Sequence, residues 1–153
     1  MSKSQATSSY RTTEENKQSL IDLWGSVSAG TEKAVDAYVA LRPRIIQDTM
    51  KKFSRSELSA MIDTLNGTMF QSQFASKPQM LAYEMEDGDK YDEIGEKWEI
   101  DVDLLVNKIK LLNPASCYFM QEEINRFWYN ENEYGGPGKK LDNFLAKYLG
   151  GAE

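Results

Sequence analysis

Between Glu84 and Asp103 the chain carries ten carboxylates and two lysines, a net charge of −8, whereas the whole chain is −6 and the remaining residues therefore sum to +2. Crowded carboxylates can bind a hard cation, move protons, or set up a field. Cation binding fails on spacing. If Gly88 were the glycine of a calcium loop, Tyr83, Met85 and Ile94 would hold the first, third and last ligand positions, and none offers a suitable side-chain oxygen. Proton chemistry has little support, because the chain has no histidine, the commonest general base, and no serine or threonine has an identifiable base. A local negative field remains, of the kind that steers a protein to a basic surface, including the nucleic-acid site of another protein. Helix capping accounts for Asp89, Asp101 and Asp103. The candidate contact residues are then Glu86, Asp92, Glu93, Glu96 and Glu99. The competing reading is a solvated face that keeps the domain in solution.

Other clusters carry less. Arg42, Arg44, Lys51, Lys52 and Arg55 net +4 with Asp48 and form an alternative, basic contact face for nucleic acid. No aromatic residues interleave with them to stack bases, and the competing reading is that they pair with acids across the fold or across a dimer. Gly135 to Lys140 (GGPGKK) looks like a phosphate loop, but Glu133 and Lys140 stand where that loop needs glycine and Ser or Thr. Glu122-Glu123 lacks the histidine partner of helical di-iron sites. With Cys117 as the one cysteine, neither an internal disulfide nor a Cys/His zinc site can form within the chain. Cys117 is expected to be buried and inert, and Trp24, Trp98 and Trp128 to anchor the core. No catalytic residue, metal or cofactor is expected. Finally, Ile94 to Trp98, Glu99-Ile100-Asp101 and Val102 to Ile109 resemble the spacing of a helix-turn-helix unit. Gly95 would be its small residue, Ile100 its turn apolar residue, and Leu105 and Ile109 its inward positions. Glu99 departs from the pattern where the turn glycine belongs, and Asp101 and Asp103 would face phosphates with the wrong sign.

The elements that hold these residues read as helices throughout. The pattern predicts an all-α protein: one compact bundle of seven or eight short helices over 12–153, behind a disordered, flexible tail at 1–11. Thr12 is expected to open the first helix in a capping box with Glu15, with Leu20, Ile21, Trp24 and Val27 inward and Ser28-Ala29-Gly30 as its end. Thr31 should cap the second helix, whose stripe Val35, Tyr38, Val39, Ile46, Met50 and Phe53 keeps phase across Pro43, so one kinked helix or two collinear ones are expected. Ser54 and Glu57 make a capping box with Phe53 and Leu58 as its staple, and Asn66-Gly67 is a stop. Thr68 to Ala75 has no clear assignment. Pro78 opens the next helix, and Asp89, Asp101 and Asn113-Pro114 start three more. Tyr134 to Gly138 reads as a hinge before a last helix from Lys140 to Leu149.

No apolar run approaches the ~18 residues of a membrane span, and the start lacks a signal peptide's apolar core, so a cytoplasmic location is expected. The function expected from these observations is a non-catalytic interaction module, an inhibitor or regulator that shows its acidic face to a basic, nucleic-acid-handling protein. The alternative is a helical nucleic-acid-associated regulator using the basic segment or the helix-turn-helix-like corner. Homodimerisation stays open.

Overall fold

The computed structural model describes residues 12–65, 75–129 and 139–150, and of 88–90 only the backbone. The protein is all-α, with eight helices and no strand among the described residues. The expected tail at 1–11, the stop at Asn66-Gly67, the unassigned stretch up to residue 74 and the hinge at 134–138 lie outside the described residues. Contacts divide the chain into two units, Met1–Leu41 and Arg42–Glu153.

The first unit holds α1 (Glu14–Trp24) and the opening turns of α2 (Val27–Met50). Its boundaries correct those read from the sequence. Thr13, one residue beyond the expected Thr12, is the N-cap and accepts from the Asn16 amide at 3.1 Å. The helix ends at Gly25, which has φ +84° and donates to the Ile21 carbonyl at 2.7 Å. Glycine takes this left-handed conformation without steric cost. Ser26, not Thr31, caps α2, accepting from the Ala29 amide at 3.1 Å. Thr31 lies inside the helix and its hydroxyl donates to the Val27 carbonyl. Gly30 does not stop a helix. A Cβ there would lie 2.6 Å from Leu20 Cβ, so Gly30 lets the two helices of this hairpin approach closely. The helix then runs through Pro43 without a break.

The second unit is built from the end of α2 and six more helices: α3 (Arg55–Thr64), α4 (Pro78–Glu86), α5 (Gly88–Trp98), α6 (Val102–Lys110), α7 (Pro114–Tyr129) and α8 (Lys140–Leu149). Local chemistry sets most starts. Ser54 and Glu57 form the expected reciprocal capping box, and the staple residues Phe53 and Leu58 are both buried. Asp101 accepts from the Leu104 amide at 3.1 Å, and Asn113 from the Ser116 amide at 2.8 Å. The start of α5 differs from expectation: its N-cap position is Asp87, without a side-chain cap bond, and Asp89 lies inside the helix.

Packing in this unit centres on α4 against α6, while α3 touches α4, α5 and α8. Leu58, Met61, Leu81, Met85, Leu105, Ile109, Met120, Ile124, Phe144 and Leu145 fill one core. Phe144 meets Phe127 and Tyr148 edge-on, with ring centroids 5.2 and 5.1 Å apart, a geometry aromatic quadrupoles favour. Trp128 donates its indole N–H to the Ile62 carbonyl at 3.0 Å, so α7 is tied to α3 by a polar bond within an apolar contact. Cys117 is buried as expected, and burial pushes its thiol pKa up. Trp98 and Trp128 pack against the core, but Trp24 is 51% exposed and anchors nothing. None of the described helices is long and apolar enough to cross a membrane.

Candidate protein-interaction surface

Helix α5 divides its residues cleanly. Ile94 is buried, and Tyr91 and Trp98 pack against the core. At 100° per residue these three positions fall on one side, while Asp92, Glu93, Glu96 and Glu99 fall on the other. All four of those carboxylates are exposed. None makes a hydrogen bond or ion pair with another described residue.

Three of these carboxylates lower the stability of their own helix. Asp92 and Glu96 are like charges at i, i+4, which is unfavourable by a few tenths of a kcal/mol. Glu96 lies in the last turn, where the helix dipole disfavours an anion. Glu99 is the C-cap with φ +52° and ψ +46°, and it is the only described residue other than glycine with positive φ. A side chain in this left-handed region costs about 1 kcal/mol that glycine avoids. The turn it makes carries the chain from α5 into α6, with the Ile100 amide donating to the Gly95 carbonyl at 3.1 Å. Gly95 faces Val102, whose Cγ2 would lie 3.4 Å from an added Cβ. A tight turn therefore joins α5 and α6, with glutamate in the left-handed position that favours glycine.

Three other acids of the segment have partners. Glu86, on α4, pairs with Lys110 at 3.0 Å and so differs from the four on α5. Asp101 is used as a cap. Interaction with the Asp103 carboxylate, with smaller effects from burial and the charges of Asp101 and Asp92, raises the Tyr91 phenol to about 12. The indole N–H of Trp98 is buried without a partner among the described residues. Lys97, next to it, bridges to Asp63 at 2.6 Å.

For a second group of carboxylates, on α7 and α3, sequence reasoning did not foresee the long-range pairing. Glu123 is fully buried and meets Arg42 at 2.7 Å, Arg126 at 3.4 Å, Lys147 at 3.5 Å and the Tyr148 hydroxyl. Its neighbour Glu122 holds the same guanidinium at 2.6 Å. Burial alone would lower the Arg42 pKa, but the hydrogen bonds and charges of Glu122 and Glu123 outweigh it and hold the guanidinium above its ordinary value. Burial also raises the Tyr118 phenol, with Glu122 adding to the shift and Arg42 opposing it. On α3, the nearly buried Glu57 takes Lys108 on both oxygens, at 2.8 and 2.9 Å.

These pairings break up the expected basic face. The Arg42 side chain is 13% exposed and belongs to the Glu122–Glu123 network, so it is not part of a wet face. Arg55 pairs with Asp142 at 2.6 Å. Arg44, Lys51 and Lys52 remain on the surface. Among the described residues, no three histidine, cysteine, aspartate or glutamate side chains are grouped to hold a metal ion. The chain matches no family model, no curated protein and no solved structure.

Proposed function

We propose that the protein is a non-catalytic interaction module whose contact surface is the outer face of α5, with Asp92, Glu93, Glu96 and Glu99 presented to a basic protein surface. The carrying observation is that three of these carboxylates, Asp92, Glu96 and Glu99, are kept in positions that weaken their own helix. A face meant only for solubility could place its acids at helix starts, where the dipole favours them. Instead Glu96 and Glu99 occupy the helix end, and Glu99 takes a glycine conformation. Departures from local stability of this kind are expected where function constrains the residue. An exposed acidic patch raises association rates with a basic partner and suppresses wrong partners. A partner of that charge is found among nucleic-acid-handling proteins, where such a module acts as an inhibitor or regulator.

The test is capture from the native host on the immobilised full chain at low and moderate salt, with nucleic acid digested in one arm. A basic protein retained after digestion, and lost with rising salt, is the expected result. Loss of every bound species on digestion would refute it and favour direct nucleic-acid binding through Arg44, Lys51 and Lys52.

A further inference from the structure

Helix α1 is amphipathic, yet it contains no buried residue. Along the hairpin, Leu23 is 73% exposed, Val39 66% and Val35 54%, with Trp24, Tyr38 and Leu41 also open. Between its helices runs a groove of about 540 Å³, with Leu20, Ala34, Val35 and Tyr38 in its wall. Among the described residues, the other lining side chains are hydroxyls and one amide, and none is charged. Two helices of this length are marginal in water unless their apolar side is covered. Monomeric proteins seldom leave such a contiguous patch open.

We infer that the groove of this hairpin is covered by the hairpin of a second copy of the chain, giving a four-helix bundle about a two-fold axis. Three observations favour a second copy. The uncharged lining lets identical surfaces meet without like-charge repulsion, whereas a groove shaped for a charged partner would carry complementary charge. The area fits. At ~200 Å² per large side chain, the half-open side chains of one hairpin offer on the order of 600 Å² of apolar surface. A standard interface has about 800 Å² per partner, of which somewhat over half is apolar. The geometry also closes, because antiparallel helix pairs joined by a short turn combine face to face into four-helix bundles, and a two-fold contact leaves no open surface to propagate. The inference is independent of the acidic face on α5.

Sedimentation equilibrium of the full chain over a hundredfold concentration range should give twice the chain mass, and a Val35→Glu/Val39→Glu variant should give the chain mass. Near-ultraviolet circular dichroism and a cooperative melt would show that the variant's second unit is still folded. Gln18→Cys provides a second readout. Cys117 is buried, so a nitroxide attaches at position 18 alone, and pulsed electron resonance should find one defined distance between copies that disappears in the Val35→Glu/Val39→Glu background. A concentration-independent monomer, or a dimer that survives both glutamates, would overturn the inference.

Discussion

Glu123 and Glu96 carry the same functional group on two helices of one unit, and their surroundings are opposite. Glu123 has no solvent exposure and is held by Arg42, Arg126, Lys147 and the Tyr148 hydroxyl. Glu96 is exposed, has no partner among the described residues, and sits at the helix end the dipole disfavours. A buried carboxylate that keeps its charge must be compensated, and the compensation fixes how the end of α2, α7 and α8 meet. An exposed carboxylate needs no compensation and adds little to stability. Charge density along the chain therefore says little about what a carboxylate does. The densest acidic run supplies a surface, and an isolated Glu-Glu pair organises the interior.

The contrast can be broken most forcefully at Glu123. Glu123→Ala leaves Arg42 largely buried with part of its compensation gone, and should cost about 3–5 kcal/mol in denaturant unfolding. Replacing both partners with apolar residues (Glu123→Leu with Arg42→Met) should recover part of that loss, because the fully buried carboxylate and its guanidinium leave together, while Glu122 and the Tyr148 hydroxyl each lose a partner. If the single variant unfolds at the wild-type denaturant midpoint, Glu123 is not a structural carboxylate.

Caps form the next tier. Ser54→Ala and Asp101→Ala should each cost about 1 kcal/mol, read from the same unfolding curves. At the other end of α5, Glu99→Gly should raise stability by roughly 0.5–1 kcal/mol, since glycine relieves the left-handed conformation at some cost in chain entropy. A loss at this position would mean that the Glu99 side chain makes a stabilising contact. Neutralising Asp92, Glu93, Glu96 and Glu99 together should move stability by less than ~1 kcal/mol, and upward if at all.

Tyr91 gives the smallest signal and one that depends on pH. Its folded pKa, about 12, lies above the ordinary 10. The folded state therefore holds the phenolic proton more tightly than the unfolded chain. Its stabilising contribution is complete below pH 10 and fades as pH rises toward 12. Absorbance titration should show one tyrosine ionising late, and Tyr91→Phe should remove it.

Legibility in the sequence followed the range of each interaction. The Ser54–Glu57 box, the Asp101 and Asn113 caps and the bounds of the last helix depend on neighbours three or four residues away, so they could be read directly. The first cap was misplaced by one residue because Thr12 and Thr13 offer the same oxygen. Gly30 reads as a stop in the sequence, although its role depends on Leu20 across the hairpin. The Arg42–Glu123 pair joins residues far apart in the chain, and no local pattern announces it. The apolar stripe of α1 reads like that of α8, because periodicity says which side of a helix is apolar and not whether anything covers it. On α5, the sequence could not separate Asp92, Glu93, Glu96 and Glu99 from Glu86, whose partner Lys110 is on another helix.

The most direct test of the proposed function is the association rate of the captured partner with wild-type protein and with a folded Asp92→Asn/Glu93→Gln/Glu96→Gln/Glu99→Gln variant, at two ionic strengths. The account predicts that the variant associates at least tenfold more slowly at low salt and loses most of its salt dependence, with dissociation changed less. Glu86→Gln should leave the rate close to wild type. Association of the fourfold variant at the wild-type rate, with the same salt dependence, would contradict the account.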